Sequence, residues 1–170
     1  MDDRAVVARQ LGRSPRAFGR VVTRCPWGLP AVTEQVPYDA GGEPFPTTYY
    51  LTCRQLVSAI ARIEAAGGVE RWSEAVARDE ALTGSLRAAN EEQRRIRHAL
   101  AGDVRGRDGG RSLDLGIGGS ASSGSLKCLH AHAAYALARP GYELGERILA
   151  EVSPRWPSDG CCFRALRELV

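Results

Sequence analysis

The stretch Lys127-Cys128-Leu129-His130 brings three chemically active residue types together within four positions. Lys127 is the only lysine among 23 basic residues, Cys128 is one of five cysteines, and His130 is one of three histidines. The stretch follows a glycine- and serine-rich segment and opens a predicted helix. A helix N-terminus and a nearby ammonium group both favour the thiolate form of a cysteine. Cys128 is therefore a candidate nucleophile with His130 as its base and Lys127 as a supporting cation, unless Lys127 is simply a solvated surface residue.

Two further cysteines are predicted to lie at one end of a small sheet. Cys25 ends the predicted strand 18–25, and Cys53 follows the predicted strand 47–52. In a meander of three strands the first and third run in the same direction. The two thiols would then be about 10 Å apart if the strands lie in chain order, and about 5 Å apart if the first and third strands pair. Cys53 also immediately precedes a predicted helix, where the helix dipole favours a thiolate.

A tetrahedral zinc site is one use for these residues. Cys25, Cys53, Cys128 and His130 would together supply four sulfur and nitrogen ligands. His132 is an alternative imidazole, because it shares a helical face with Cys128, whereas His130 can join Cys128 only if the helix begins after it. The spacing lacks the paired Cys-x-x-Cys of many zinc sites. The alternatives are a reactive thiol site and buried, inert cysteines, since free cysteine is among the most buried residue types.

The elements that must position these residues follow an α+β pattern. Short segments rich in β-branched and aromatic residues predict strands over 18–25, 31–36 and 47–52. Helical periodicity predicts helices over 2–11, 54–67, 69–78, 80–100, 126–138 and 143–152, and a final short helix over 161–170. Residues 102–124 are rich in Gly, Ser, Arg and Asp and are predicted to form a flexible loop. We therefore expect a single domain over residues 1–170, with a small three-stranded antiparallel sheet packed against several helices.

Two other patterns admit a functional interpretation. The run Gly116-Ile117-Gly118-Gly119-Ser120-Ala121 resembles a glycine-rich phosphate loop, but its spacing matches neither the P-loop nor the dinucleotide fingerprint, and a plain flexible loop is the alternative. The longest helix carries a seam with steps of three and four residues, which could pack on its own domain or on a protein partner. The seam consists of Leu82, Leu86, Ala89, Gln93, Ile96 and Leu100.

Composition narrows the class of protein. A hydrophobic content of 44% and a charged content of 25% are ordinary for a globular protein, and a net charge of +3 argues against a nucleic-acid partner. No apolar run approaches the roughly 20 residues of a membrane span, and the N-terminus lacks a secretory signal, so we expect a cytoplasmic protein without membrane contact. In a reducing compartment, five cysteines are expected to be free thiols or metal ligands.

Three stretches carry a family resemblance: residues 24–30, 44–53 and 126–130, which read RCPWGLP, PFPTTYYLTC and LKCLH. Together they resemble the domain-of-unknown-function 501 family, a group of small uncharacterised bacterial proteins, from about Val7 to Leu149. The resemblance implies that Cys25, Cys53, Cys128 and His130 match the family's pattern. It implies no activity.

Two functional hypotheses follow. The first is an uncharacterised cytosolic bacterial protein whose Cys/His cluster binds a thiophilic metal, zinc before others, or forms a reactive thiol site. The second is a non-catalytic protein-interaction module with structural cysteines and an unidentified protein partner.

Overall fold

The computed structural model describes residues 2–122 and 124–161 and confirms the predicted α+β class. The predicted helix over 161–170 therefore falls almost entirely outside the described residues. The strands are β1 (Phe18–Arg24), β2 (Pro30–Gln35) and β3 (Tyr49–Leu51). The described α-helices are α1 (Asp3–Leu11), α2 (Arg54–Ala65), α3 (Gly68–Arg78), α4 (Glu80–Ala101), α5 (Leu129–Ala138) and α6 (Glu143–Ala150).

The sheet is an antiparallel meander with β2 in its centre. Every residue of β2 is buried, whereas β1 is partly open to solvent. This strand order places β2 between the ends of β1 and β3, so it corresponds to the larger of the two predicted Cys25–Cys53 separations. Both cysteines are buried at this end, where the Cys25 amide donates to Leu29 and the Cys53 amide donates to Ala31.

Helix α5 is the central helix of the core. Its sequence, LHAHAAYALA, has almost no polar face, and a helix that is apolar all round is expected to be buried. It packs against β3 and α6, and the ring of Tyr135 lies edge-on to that of Tyr49, with 5.4 Å between their centroids. Packing on several sides fixes the position of its N-terminus, which carries Cys128 and His130.

The seam of α4 packs within its own chain. Leu82, Leu86 and Ala89 belong to the main hydrophobic core, whereas Leu100, at the end of the predicted seam, is 38% exposed. The buried stripe passes instead through Arg97, which is fully buried and donates hydrogen bonds to the carbonyls of Ser112 and Phe45. Arg97 therefore connects the segment that follows α4, at Ser112, to the chain that precedes β3, at Phe45.

Residues 102–122 contain more structure than the predicted flexible loop. Two 3-10 helices, Arg111–Asp114 and Ile117–Gly119, lie in this segment, and the side chains of Leu113 and Ile117 are buried. The carboxylate of Asp108 organises the turn by accepting hydrogen bonds from the Gly110 and Ser112 amides and the Tyr38 hydroxyl. These polar contacts, together with the burial of Leu113 and Ile117, hold the segment against the body of the molecule.

Candidate metal centre

Cys128 is the N-cap of α5, because the helix begins at Leu129. Its backbone is extended, with φ −155° and ψ 114°, and its side chain makes no capping hydrogen bond to its own helix. The condition under which Cys128 and His130 can face a common point, a helix that begins only after Cys128, is therefore confirmed.

Glu64 provides the missing cap from another helix. One carboxylate oxygen, Oε1, accepts the Leu129 amide at 2.6 Å, and the other, Oε2, lies 3.2 Å from Nδ1 of His130. A carboxylate at a helix N-terminus satisfies an amide that has no partner within the helix and interacts favourably with the helix dipole. Glu64 thus connects the last turns of α2 to the first turn of α5.

Both ring nitrogens of His130 face oxygen atoms. Nε2 lies 3.0 Å from the carbonyl oxygen of Val57, which can only accept a hydrogen bond, so Nε2 donates, and Nδ1 faces Glu64. The hydrogen bond to Cys128 has the largest effect on the pKa of His130; burial lowers it, while the Val57 carbonyl and the Glu64 charge raise it further, and the resulting pKa is about 9. His130 is therefore an imidazolium at neutral pH in the metal-free protein.

Three donor atoms converge here. One ligand atom each from Glu64, Cys128 and His130 lies within 4.8 Å of the other two, and all three residues are half-buried. Within residues 2–122 and 124–161, this is the only set of three or more His, Cys, Asp or Glu side chains close enough to hold one metal ion. Sulfur, imidazole nitrogen and carboxylate oxygen are the three kinds of protein ligand that zinc accepts.

Cys25 and Cys53 lie outside this group. The structure thus brings together two of the four residues predicted as metal ligands, Cys128 and His130, and adds Glu64. The direction of α2 explains the difference. Cys53 is the N-cap of this helix and Glu64 lies near its C-terminus, about 16 Å further along the axis at 1.5 Å per residue. The donors gather at the distant end.

Lys127 and the second histidine of α5 also point elsewhere. The Lys127 ammonium group is exposed and donates to the carbonyl of Gly119, 3.2 Å away. His132 is 1% exposed, and its Nδ1 lies 2.7 Å from the hydroxyl oxygen of Tyr142. Burial lowers the pKa of His132 to about 4, so this imidazole is neutral and belongs to the core. The structure therefore selects His130 over His132 as the imidazole beside Cys128.

Sequence reasoning missed Glu64, although the sequence contains a weak signal for it. Residues 57, 60 and 64 lie on one face of α2, and Ile60 of that face is fully buried. A carboxylate that continues an apolar face is expected to have a partner, because burying an unpaired charge is costly. The sequence does not indicate that this partner is the start of α5, 65 residues away along the chain.

Two of the three donors, Cys128 and His130, line a cleft of about 310 Å³. One wall is formed by β3 and the chain before it, another by α2 and α5, and a third by the glycine-rich run. Gly118 has a φ of +70°, and a Cβ atom there would lie 3.5 Å from that of Ala131. In this fold the glycine-rich run packs against the start of α5. The residues that line the cleft are Thr47, Tyr49, Tyr50, Leu51, Val57, Gly118, Cys128, His130 and Ala131.

Comparison with known proteins adds a family but no activity. Among the described residues, no helix combines the length and the apolar character that crossing a membrane requires. No curated protein and no solved structure matches the chain. The sequence model of one family, described as Protein of unknown function (DUF501), matches residues 21–150. Because this match covers well over half of the 170-residue chain, the protein belongs to the DUF501 family.

Proposed function

We propose that Glu64, Cys128 and His130 bind a thiophilic divalent metal ion, zinc before others, and leave a fourth coordination position open to the cleft. The observation that carries this proposal is the convergence of the three donor atoms within 4.8 Å of one another. The chemistry of the set is a second support, because a thiolate, an imidazole and a carboxylate together suit zinc better than they suit calcium or magnesium, which prefer oxygen ligands.

The distances are close to those that zinc requires. Bonds of 2.0–2.1 Å to nitrogen and oxygen in a tetrahedral site separate two such ligands by about 3.3 Å. Nδ1 of His130 and Oε2 of Glu64 are 3.2 Å apart before any ion is bound. Since the sulfur of Cys128 is within 4.8 Å of both partners, it needs to move by only about 1 Å to complete the triangle.

The surroundings of His130 also suit a metal ligand. Imidazoles that bind metals usually donate their other N–H group to a carboxylate or backbone carbonyl, which fixes the ring and its tautomer. The Val57 carbonyl is placed to do this for Nε2, which leaves Nδ1 as the nitrogen that binds the ion. Glu64 is anchored in the same way, because Oε1 is held by the Leu129 amide while Oε2 faces the site. A metal ion would take the place of the proton on Nδ1.

Three protein ligands and one open position are typical of catalytic rather than structural zinc sites. A zinc ion at such a position polarises a bound carbonyl or activates a bound water molecule. The open position would face the cleft, since Cys128 and His130 both line it. We therefore place the reaction, or the ligand recognition, of this protein in the cleft.

Metal analysis tests the proposal directly. Protein purified without chelator is expected to contain about one equivalent of zinc per chain, measured by plasma mass spectrometry against the protein concentration. The variants Cys128→Ser and Glu64→Gln should each lose most of it. Cys25→Ser and Cys53→Ser are matched controls, because both remove a buried thiol outside the donor set, and they should retain the metal. Equal metal content in Cys128→Ser and Cys53→Ser would reject the assignment.

A reactive thiol is the second candidate function, favoured by the contact between an imidazolium and the sulfur of Cys128. That pairing, at the start of a helix, is typical of nucleophilic cysteines. In a Cys-His-acid relay the acid and the nucleophile occupy opposite ring nitrogens. Here the Val57 carbonyl holds Nε2, so His130 would act as a fixed cation and not as a general base.

Alkylation of the metal-free protein tests this second candidate. Iodoacetamide should modify Cys128 faster than the four other cysteines, with the sites identified by peptide mass spectrometry. The variant His130→Gln should slow alkylation of Cys128 and leave Cys161 unaffected. An equal rate at Cys128 and at the half-buried Cys161 in the native protein would exclude a reactive thiol.

A further inference from the structure

Strand β3 has hydrogen-bonding groups on an edge that no other strand of the described residues covers. It is the last strand of the sheet and pairs with β2 alone. The Gln35 amide donates to Thr48, and the Thr52 amide donates to Ala31. In an antiparallel ladder the residues that bond to the partner strand alternate with residues whose N–H and C=O groups point the other way. The peptide groups of Tyr49 and Leu51 therefore point away from β2.

These peptide groups lack partners. Among the described residues, no hydrogen bond involves the backbone N–H or C=O of Tyr49 or Leu51. The two residues are 5% and 4% exposed as a whole, so their side chains belong to the core. Backbone N–H and C=O groups in folded proteins are nearly always paired with protein or water, so this edge offers hydrogen-bonding groups that the protein itself does not use. Both residues line the same cleft as Cys128 and His130.

We infer that the cleft binds an extended peptide, which pairs with the free edge of β3 and passes beside the metal ion. The inference rests on the proposed function for the metal and names the ligand class of the same site. A peptide backbone presents donors and acceptors with the spacing of a strand, so it can satisfy the N–H and C=O groups of Tyr49 and Leu51 together. The apolar walls contributed by Val57 and Ala131 would receive one of its side chains.

The charge of the cleft favours this ligand over an anion. The chain contains 23 basic residues, but within the described part of the chain no arginine or lysine side chain lines the cleft, and the imidazole of His130 already faces the carboxylate of Glu64. A phosphorylated ligand would be expected to meet such side chains. A volume of about 310 Å³ is at the lower end of ligand pockets, so the cleft holds only a short stretch of the peptide and the remainder lies outside.

The test uses a pool of random-sequence hexapeptides with blocked termini. The pool is incubated with the full chain, zinc-loaded and zinc-free, and the retained peptides are identified by mass spectrometry after ultrafiltration. The best binder is then N-methylated at one residue at a time and its Kd is measured by calorimetry. Methylation at alternate residues should weaken binding about tenfold or more, because those amides pair with β3, and methylation at the residues between them should have little effect. No retained peptide, or losses without alternation, would overturn the inference.

A substitution in the cleft complements N-methylation of the hexapeptide. Ala131→Leu fills the cleft and should abolish retention of the best hexapeptide, with circular dichroism used to verify that the variant is folded. The control is Ala99→Leu, the same substitution at an exposed position of α4. If the protein retains the hexapeptide but binds no zinc, the metal site is rejected and the peptide site stands. Zinc binding without any retained peptide would reject the peptide site alone.

Discussion

At the scale of single residues, Glu64 has two structural roles because its two oxygens have different partners. Oε1 caps α5 through the Leu129 amide, and this contact does not require a metal. Oε2 faces His130 and completes the donor set. If the proposed metal site is correct, the metal affinity and the stability of the metal-free protein both depend on this carboxylate. Measurements with and without chelator then separate the two effects.

The capping role predicts a loss of stability in metal-free protein. Glu64→Ala removes the acceptor for the Leu129 amide and the ion pair with His130, so the free energy of unfolding should fall by about 1–2 kcal/mol. The measurement is urea denaturation followed by circular dichroism in the presence of chelator. Glu91→Ala, which removes an exposed carboxylate from α4, should change stability by less than about 0.5 kcal/mol. Equal values for the two variants would contradict the capping role.

His132 predicts a specific dependence of stability on pH. Burial lowers its pKa in the folded state to about 4, against an ordinary value of 6.5. The unfolded chain therefore binds a proton more readily, so the stability that His132 contributes is complete above pH 6.5 and is lost as the pH falls towards 4. The loss approaches roughly 3 kcal/mol at pH 4.

The comparison that isolates this effect uses His132→Gln, whose amide can still reach the Tyr142 hydroxyl. The difference in unfolding free energy between wild type and variant should shrink or reverse between pH 6.5 and pH 4, measured by urea denaturation at each pH. Carboxylates titrate in both proteins, so their contribution cancels in the difference. A difference that stays constant over this range would show that His132 is not buried as a neutral imidazole.

At the scale of elements, local patterns in the sequence predict most of the secondary structure. Strands β1 and β2 and helices α2 to α4 lie within a few residues of their predicted bounds, because their apolar periodicity agrees with the face that each one buries. Helix α5 begins three residues later than predicted. Leu126 is buried although it lies before the helix, and the cap at the start of the helix comes from Glu64 on α2. A helix boundary set by a distant side chain is not contained in local sequence.

The segment 102–122 illustrates a different limit of sequence reasoning. Its glycines and charged residues are typical of loops. The sequence does not show that the carboxylate of Asp108 accepts hydrogen bonds from two amides and a hydroxyl in this segment and its surroundings. Burial raises the pKa of Asp108, but the hydrogen bonds from Ser112, Gly110 and Tyr38 lower it by more, to about 2. Hydrogen bonds that favour the charged carboxylate this strongly stabilise the turn as well.

Asp108→Ala is therefore expected to loosen this segment. Loss of the acceptor for two amides and one hydroxyl should lower the free energy of unfolding by about 2 kcal/mol. Trypsin should also cleave after Arg107 and Arg111 faster than in wild type, followed by mass spectrometry of the native protein. Asp103→Ala, in the exposed part of the same segment, is the control and should change neither quantity. Unchanged cleavage in Asp108→Ala would mean that other contacts hold the turn.

At the scale of the whole molecule, the sequence predicts the class of fold but not the arrangement of its parts. The uniformly apolar sequence of α5 indicates a buried helix, and that helix is central. Arg97 shows where such a prediction fails. The apolar seam of α4 predicts that Ile96 and Leu100 are buried in its last turns, but the fully buried residue is Arg97. The donor set shows the same division: Cys128 and His130 are neighbours in sequence and could be predicted together, whereas Glu64 joins them only through the packing of α2 against α5.

Because α2 and α5 each contribute a donor to the proposed metal site, zinc bound there should stabilise the whole fold. An ion that binds only the folded state adds RT ln(1 + [Zn]/Kd), which is about 2.7 kcal/mol at a hundredfold excess over Kd. For a domain of this size, that corresponds to a rise in Tm of about 5–10 °C. The measurement is calorimetry of the full chain with and without zinc.

The control is a pair of cysteine variants. Cys128→Ser should lose most of the rise in Tm, whereas Cys53→Ser should keep it even if its own Tm is lower, because each variant is compared with itself. A rise that survives in Cys128→Ser would place the bound zinc elsewhere in the molecule, and a wild-type Tm that zinc does not change would mean that the three donors do not hold it.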